Sequence, residues 1–319
     1  MGKLREIIKI QPKKHKKELT AQNNIIEQQT HNYNLLKDIK SSIPAVSDEL
    51  SKILPRHFIE HLDFHLVDHC NLNCKCCSTY APIAKEHYAD VKSFEKDLKK
   101  LHDLIGDSVS QIHLLGGEPL LHPRLEDFIR IARKIFSQAR IDVTTNGILV
   151  FKMPPSLWRT MTECNVALKY TQYPINLDYN KMVEYVKGFG VYVFSAGGKD
   201  PIKYFRRIPL KASGVNNAWK SYIRCAYTDC ATLRDGKLFH CPIPVFYQLF
   251  NECMKKEAMN GRFQLSSLDY VDLYQVSTKE DVMKFMSNAQ PFCQYCDMKC
   301  STNVIWEQSS RKIQEWVDE

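Results

Sequence analysis

The stretch DHCNLNCKCCSTY, residues 68–80, places four cysteines within eight residues. Cys70, Cys74 and Cys77 follow a C-x3-C-x2-C spacing, and Cys76 adjoins the last of them. Three thiolates on a short loop can bind three irons of a cubane and leave the fourth iron open to an outside ligand. A zinc site is the alternative, but it usually takes four protein ligands in pairs such as C-x2-C. The spacing therefore favours an iron–sulfur cluster, with Cys76 as a bystander.

A second set of cysteines lies in the C-terminal third: Cys225, Cys230, Cys241, Cys293, Cys296 and Cys300. The segment ATLRDGKLFHC predicts a hairpin with Asp235-Gly236 as its two-residue turn. Counting outward from the turn puts Cys230 opposite Cys241, and opposed residues have Cβ atoms about 4.5–5.5 Å apart. Two thiols at the open end of a hairpin are well placed to bind a metal cluster, with a small zinc site as the alternative.

The chain has 319 residues, of which 44% are apolar, so it is long enough for a substantial core. No apolar run approaches membrane-spanning length. The basic N-terminus lacks the apolar stretch of a signal peptide, and we therefore expect a cytoplasmic protein. In a reducing compartment, twelve cysteines indicate metal or redox chemistry and not a disulfide framework.

The positive charge is concentrated at the N-terminus, where residues 1–20 hold seven Lys or Arg against two Glu. Leu19, Ile26 and Tyr33 recur every seven residues and predict a helical arm over residues 1–57. Such an arm suits an acidic partner, a membrane surface or self-association, and a solvated, frayed extension is the alternative. No nucleic-acid motif accompanies it.

Beyond the arm, short β-rich runs alternate with amphipathic helical patterns. Strands are predicted at residues 63–68, 111–115, 141–145, 166–171 and 191–194, and helices at 93–105, 125–136 and 182–189. Repeated strand–helix units predict an α/β fold with a parallel sheet, either closed as a barrel or open. In both cases reactive loops belong at the carboxyl ends of the strands. Trp306 and Trp316 are predicted to anchor a terminal helix.

Two further loops follow strands in the same way as the cysteine loop: GGEP at residues 116–119 and TNG at residues 145–147. The three motifs, in this order, resemble the radical S-adenosylmethionine (radical SAM) superfamily over about residues 60–200. The resemblance implies a partial (β/α)6 TIM-like barrel over residues 58–210. It also implies that a [4Fe–4S] cluster bound by the three cysteines cleaves SAM reductively, and that a donor such as flavodoxin or ferredoxin supplies the electron.

The resemblance also assigns cofactor-binding residues. The GGEP loop, Gly116, Gly117, Glu118 and Pro119, is expected at the SAM ammonium. Asn146 is expected to orient SAM or its loop. Lys169 and Thr171 suit the SAM carboxylate or ribose, with a core or rim position as the alternative. The family often has an aromatic residue where this chain has Cys76, so Tyr80 is a candidate for packing the adenine.

The C-terminal cysteines resemble the SPASM/twitch extension of radical SAM enzymes, which binds auxiliary [4Fe–4S] clusters. The pattern is truncated here, and it implies one auxiliary cluster over residues 211–319, held by four of the six thiols. The sequence leaves open which four bind. Residues 204–207 lie between the two cysteine regions, where they form either a substrate entrance or a plain loop.

In this family the 5′-deoxyadenosyl radical removes a hydrogen atom from a substrate. An auxiliary cluster that accepts the remaining electron gives an oxidation, whereas a thiol that returns a hydrogen atom gives an epimerisation. Cys164, Cys230 and Cys253 are candidates for such a thiol. The segments CNLNCKCCSTYAPIA and LRDGKLFHCPIP are similar to bacterial radical SAM proteins of carbohydrate pathways, which favours a sugar-type substrate. A peptide-modifying enzyme and a non-catalytic cluster scaffold are the alternatives.

Overall fold

The computed structural model describes residues 49–52, 54–198, 200–254 and 262–318. Most of the predicted arm, residues 1–57, therefore lies outside the described residues. Residues 53–319 form one compact unit. Among the described helices, none is both long and apolar enough to cross a membrane.

The centre of this unit is an eight-stranded sheet in which parallel pairing dominates. Its strands are β1 (Ile59–Val67), β2 (Val109–Gly116), β3 (Arg140–Thr145), β4 (Ala167–Tyr170), β5 (Val193–Ser195), β8 (Cys230–Arg234), β9 (Lys237–Phe239) and β10 (Tyr270–Asp272). Their order is β10-β9-β8-β1-β2-β3-β4-β5. Strands β1 to β5 and β8 run parallel, and β9 is antiparallel to both of its neighbours. The predicted α/β class and parallel sheet are confirmed, and the sheet is open, with β5 and β10 at its edges, as in a partial TIM-like barrel.

Four helices connect the first five strands: α1 (Val91–Ile105), α2 (Leu125–Ile135), α3 (Pro155–Glu163) and α4 (Tyr179–Lys187). Helix α1 begins at Asp90, whose side chain accepts a hydrogen bond from the Ser93 N–H at 2.8 Å. The apolar stripes of these helices and one face of the sheet form the first core, in which Leu98, Ile112 and Phe128 are fully buried. This packing leaves the opposite, inner face of the sheet to other side chains.

The predicted hairpin is present. Strand β8 pairs with β9 so that Arg234 lies opposite Lys237, across the Asp235-Gly236 turn. Asp235 and Gly236 both have positive φ, 51° and 71°, as a turn of this type requires. The hairpin also joins the main sheet, because β8 lies parallel to β1 with Cys230 beside His61.

Most of the remaining elements surround a second core that contains Leu210, Phe246, Phe250 and Trp316. The remaining elements are β6 (Tyr204–Arg207), β7 (Leu210–Lys211), α5 (Ala218–Arg224), α6 (Tyr247–Met254), α7 (Lys279–Met286), β11 (Thr302–Ile305) and β12 (Val317–Asp318). Helix α7 belongs instead with the first core, to which it contributes Val282.

The predicted terminal helix is wrong. Residues 302–318 contain β11, a short 3-10 turn and β12. Strand β11 pairs with β6 and β12 pairs with β7, so the backbone groups of this segment are used between strands and not within a helix. Residues 204–207, expected as an entrance or a plain loop, form β6 itself.

Candidate active site at the carboxyl ends of the strands

The three motif loops meet at one end of the sheet, around a cavity of about 330 Å³. The loops after β1, β2 and β3 contribute Cys70, Cys74, Cys77, Gly116, Gly117 and Asn146 to its wall. Loops after β4 and β5 and strand β6 complete the wall. The structure therefore brings together the residues that the sequence motifs single out.

Of the three cysteines of the first loop, Cys74 is buried and Cys70 and Cys77 are half-buried. Burial raises the pKa of the Cys74 thiol to about 12, and the neighbouring Cys77 contributes to the rise. Burial and the nearby Glu118 carboxylate raise the pKa of Cys70 still further. Such thiols ionise when a bound cation stabilises the thiolate, which is the behaviour of iron–sulfur ligands. The donor set therefore fits a cluster with an open coordination site.

Each of these sulfurs has a nearby hydrogen-bonding group. The Leu72 N–H donates to Cys70 Sγ at 3.3 Å. Cys77 Sγ lies 3.1 Å from Thr79 Oγ1. Cys74 Sγ accepts from the indole Nε1–H of Trp306, also at 3.3 Å.

Cys76 does not line the cavity. It has a positive φ of 55°, and its buried Sγ donates to the Glu315 backbone carbonyl at 3.2 Å. Its backbone N–H lies 3.4 Å from Glu315 Oε2. These contacts give Cys76 a structural partner on the side of the loop away from the cavity.

The two glycines of the second loop allow its backbone to lie directly against the start of the cysteine loop. A Cβ on Gly116 would lie 2.2 Å from the Val67 carbonyl oxygen, and one on Gly117 would lie 2.0 Å from that of His69. The Gly117 N–H donates to the Val67 carbonyl at 2.6 Å, and the Glu118 N–H to that of His69 at 3.1 Å. No residue with a side chain fits at either position without moving the cysteine loop.

Glu118 is fully buried and joins the second loop to the third. Its carboxylate accepts hydrogen bonds from the Leu120 N–H at 3.0 Å, Thr145 Oγ1 at 2.7 Å and the Asn146 N–H at 2.9 Å. Burial raises its pKa to about 7, against the opposing effect of these donors. The side chain therefore fixes the relative position of two cavity loops, and its own carboxylate is not part of the cavity wall.

Asn146 connects the third loop to the first. Its side-chain nitrogen donates to Asn71 Oδ1 at 2.8 Å and lies 3.6 Å from Cys70 Sγ. Its oxygen accepts from the Ile148 N–H at 2.9 Å. The side chain thus turns the TNG loop toward the first cysteine.

Of the other predicted cofactor residues, Thr171 lines the cavity and three do not. Lys169 lies two residues before Thr171, on β4, and faces the inner side of the sheet. Pro119 begins a buried 3-10 turn, and Tyr80 packs in the second core. The ring of Tyr80 contacts Phe250, with centroids 4.7 Å apart, so the structure does not bring Tyr80 to the cavity.

Sequence reasoning named residues 204–207 as a possible entrance, and Phe205 lines the wall, but it missed other cavity residues. Tyr173 and Ile202 line the wall, and Trp306 stands behind Cys74 with its ring centroid 6.1 Å from that of Tyr173. These residues lie in loops, far along the chain from the motifs. No local pattern marks them.

The inner face of the sheet continues from the cavity as a connected set of polar side chains. Thr144, which lines the cavity, donates to Asp142 Oδ1 at 2.8 Å. Asp142 Oδ2 lies 2.7 Å from His113 Nδ1, and His113 Nε2 lies 3.0 Å from His61 Nδ1. Asp63 lies beside His113 in the pairing of β1 with β2.

Asp63 is a nearly buried carboxyl group within this set. It is 8% exposed, and burial raises its pKa to about 6, with His113 and Lys169 partly opposing that rise. Cys230 faces the same side, and burial followed by the Asp63 charge raises the pKa of its thiol to about 12. The inner face therefore offers carboxylate, imidazole, ammonium and thiol groups close to one another.

Most of the second cysteine set lies in one region. Burial raises the pKa of Cys241 and Cys296 well above the ordinary value, with further contributions from Cys225 and Cys293 in both cases. Cys230 also contributes to the pKa of Cys241 and is itself affected by Cys225, so it lies near this group. Cys225 follows α5, Cys241 follows β9, and Cys293 and Cys296 lie on and after the 3-10 turn Pro291–Tyr295.

The other thiols lie elsewhere. Cys300 is exposed, Cys164 ends α3, and Cys253 lies on α6. A single zinc ion needs its ligands within about 2.0–2.3 Å of one point. In the described part of the chain, no three His, Cys, Asp or Glu side chains converge in that way. A cubane binds each thiolate through a different iron, so its ligands need no such convergence.

Comparisons with known proteins agree with the motifs. The family model described as Radical SAM superfamily matches residues 65–198. GTP 3′,8-cyclase of Thermodesulfovibrio yellowstonii is 31% identical over 126 residues, which is 39% of this chain and 37% of that protein. Molybdenum cofactor biosynthesis protein 1 of Bos taurus is 29% identical over 109 residues, 34% of this chain and 17% of that protein. The chain thus spans well under half the length of these curated relatives.

Two solved structures also resemble the chain. BtrN in complex with AdoMet and 2-DOIA is 15% identical with a TM-score of 0.43, and the match covers 76% of this chain and 94% of that one. Streptococcus suis SuiB bound to S-adenosylmethionine is 17% identical with a TM-score of 0.37, covering 51% of this chain and 39% of that one.

Proposed function

We propose that this protein is a radical SAM enzyme acting on a small, carbohydrate-type substrate, and the match of residues 65–198 to the Radical SAM superfamily model supports the first part of this proposal. When bound together, the [4Fe–4S] cluster and SAM supply a 5′-deoxyadenosyl radical that removes a hydrogen atom from a substrate C–H bond. The chain must hold both cofactors, orient the substrate and keep water away from the radical.

We assign the cofactor roles to the cavity wall. Cys70, Cys74 and Cys77 hold the cluster. We place the methionyl end of SAM against the backbone of Gly116 and Gly117, which line the cavity and whose missing Cβ atoms let that backbone lie against the cysteine loop. Glu118 lies outside the cavity wall, where its three hydrogen bonds fix the relative position of the GGEP and TNG loops.

The polar side chains on the inner face of the sheet are the observation that supports a hydroxyl-rich substrate. A sugar or cyclitol needs acceptors and donors that direct one C–H bond toward the radical. Asp142 and His113 are already linked to Thr144 of the cavity wall. The Asp63 carboxyl group is 8% exposed, and burial raises its pKa to about 6. Burial of a carboxylate costs free energy, which a hydrogen bond from a substrate hydroxyl or amine would offset.

We further propose one auxiliary [4Fe–4S] cluster within residues 211–319, held by Cys225, Cys241, Cys293 and Cys296. The mutual effects of these four thiols on one another's pKa support this set. We leave Cys230 and Cys300 outside this set, because Cys230 lies beside His61 on the inner face of the sheet and Cys300 is exposed. A cluster there would accept the electron left by hydrogen abstraction, so that the net reaction is an oxidation.

An epimerisation is the second candidate, because Cys230 lies on the inner face beside Asp63. Its S–H would return a hydrogen atom to the substrate radical, and the resulting thiyl radical would then need one electron and one proton from a reductant. Cys164 and Cys253 lie away from this face and suit the role poorly. Product formed in D2O distinguishes the two reactions, since only the thiol route places solvent deuterium on carbon.

The deciding experiment measures 5′-deoxyadenosine from SAM after anaerobic reconstitution with iron and sulfide and addition of a strong reductant. We expect product from the wild type and none from the Cys70→Ala, Cys74→Ala, Cys77→Ala triple variant. Absence of product from a fully loaded wild type would leave a cluster-binding scaffold and refute the enzyme.

Substrate class is tested by stimulation of that product. Sugar nucleotides and aminocyclitols form one arm, peptide libraries a second and GTP a third, since the matched relatives include GTP 3′,8-cyclases. We expect stimulation in the first arm, lost in Asp63→Asn. Stimulation by peptides or GTP alone would overturn the carbohydrate assignment.

A further inference from the structure

The C-terminal segment, residues 302–318, reaches across the fold to the cysteine loop. Strand β11 is held against β6. Beyond it, the Lys75 N–H donates to the Glu307 carbonyl at 2.9 Å, and Gln308 forms an antiparallel bridge with Cys74. The Ser309 N–H donates to the Asn73 carbonyl at 2.9 Å, and Asn73 Nδ2 donates to the Ser309 carbonyl at 2.8 Å. The segment therefore pairs with the loop as a short extra strand.

This pairing fixes the indole of Trp306 behind one of the three cluster cysteines. Its Nε1–H donates to Cys74 Sγ at 3.3 Å, from 232 residues further along the chain. The Trp306 backbone N–H donates to the Lys203 carbonyl at 3.0 Å, and its ring lies beside Tyr173 of the cavity wall. The ring is thus held from both sides, and its donor is directed at sulfur.

The other two sulfurs rely on groups of a different kind. Cys70 and Cys77 have partners within two residues, Leu72 N–H and Thr79 Oγ1, which belong to the cysteine loop itself. Asn146 Nδ2 of the TNG loop also lies 3.6 Å from Cys70 Sγ. Of these groups only Trp306 belongs to the C-terminal segment, so the position of that segment determines whether Cys74 has its hydrogen bond.

Resting on the proposed function, we propose that Trp306 is a positioning residue that sets the reduction potential of the SAM-binding cluster. A hydrogen bond to a ligating sulfur stabilises the electron-rich, reduced form more than the oxidised form, and it therefore raises the potential. The C-terminal segment thereby controls how easily the cluster at the other end of the sequence accepts its electron.

The test is an EPR redox titration of the reconstituted full chain, following the signal that changes on addition of SAM. In Trp306→Phe we expect the ratio of reduced to oxidised cluster at a fixed potential to fall about tenfold, which is about 59 mV for one electron. Trp306→His, which keeps a ring N–H, should recover part of the shift.

Trp316→Phe is the matched control. Its indole belongs to the same segment and the same loop contact, but it donates to the Cys77 backbone carbonyl at 2.9 Å and not to sulfur. We expect its potential to remain that of the wild type. An unchanged potential in Trp306→Phe, or equal shifts in both variants, would overturn the proposal and leave a purely structural clasp.

A second measurement tests the proposal even if the Trp306→Phe variant does not load iron. With ¹⁵N-labelled tryptophan, pulsed EPR of the wild type should detect nitrogen coupled to the SAM-responsive cluster, and Trp316→Phe should retain it. Absence of that coupling in the wild type would refute the hydrogen bond. A wild type that forms no SAM-responsive cluster would instead refute the proposed function.

Discussion

At the scale of single residues, the burial of Asp63 makes the stability of the fold depend on pH. Its native pKa of about 6 lies above the unfolded value, because burial disfavours the charge. The native state therefore binds the proton more tightly, and stability falls as pH rises from about 4 to about 6 and stays lower above that. A shift of about two units corresponds to about 3 kcal/mol.

Asp63→Asn removes this pH-dependent loss. We expect the free energy of unfolding of the variant, relative to the wild type, to rise by about 2–3 kcal/mol between pH 4 and pH 7.5. Urea unfolding at several pH values measures the difference. If the difference in unfolding free energy between the variant and the wild type did not change with pH, Asp63 would ionise as easily in the native state as in the unfolded chain.

Cys76 gives a matched comparison with its neighbour Cys77. Serine at position 76 keeps a donor for the Glu315 carbonyl, which also accepts from Arg207 Nε at 2.8 Å. We expect Cys76→Ser to retain its full iron content and to lose only about 1 kcal/mol of stability, whereas Cys77→Ala should lose about four irons per chain. Equal iron loss in the two variants would make Cys76 a ligand.

At the scale of elements, the sequence pattern predicted the helices and strands whose formation depends on residues close in the chain. The five strands and three helices read from periodicity are all present, with ends shifted by a few residues. The Asp235-Gly236 turn fixed the register of the hairpin. The prediction of a terminal helix was wrong, because the positions of Trp306 and Trp316 carry no information about the partner strands β6 and β7, which lie about a hundred residues earlier in the chain.

The GGEP loop allows a prediction about contact between elements. Gly117→Ala would place a Cβ 2.0 Å from the His69 carbonyl, and we expect it to separate the β1 and β2 loops, costing more than about 2 kcal/mol and most SAM affinity. Gly106→Ala is the control, since φ there is +60° but nothing lies within 4 Å of the added Cβ. It should cost about 1 kcal/mol and leave SAM binding intact.

Thermal unfolding and SAM titration of the reconstituted proteins would measure both glycine variants. If Gly106→Ala lost as much SAM affinity as Gly117→Ala, backbone strain in general, and not the close approach of the two loops, would explain the effect.

At the scale of the whole molecule, the candidate site depends on contacts between distant segments that no sequence motif predicts. The cysteine spacing and the GGEP and TNG loops located the cavity, since carboxyl ends of parallel strands meet at one edge. The polar inner face required knowledge of register between β1, β2 and β3. The Trp306 donor and the choice among six C-terminal thiols required the three-dimensional arrangement of segments far apart in the chain.

One such long-range contact joins the start of the cysteine loop to the hairpin. Arg234 at the end of β8 donates to both oxygens of Asp68, at 2.8 and 2.7 Å. Asp68 is 8% exposed and directly precedes the loop. Arg234→Met removes the partner of a nearly buried charge, so we expect a loss of about 3 kcal/mol or more and weaker cluster retention.

The double variant Asp68→Asn, Arg234→Met removes both charges and should be more stable than Arg234→Met alone, because no unpaired carboxylate remains in the interior. Urea unfolding of the wild type, both single variants and the double variant gives the coupling energy, and iron content reports the loop. Additive losses would mean that His87, whose Nδ1 lies 3.3 Å from Asp68 Oδ2, or solvent compensates the carboxylate. A strong coupling would mean that the hairpin holds the cysteine loop in place at its start, as the C-terminal segment holds it at Cys74.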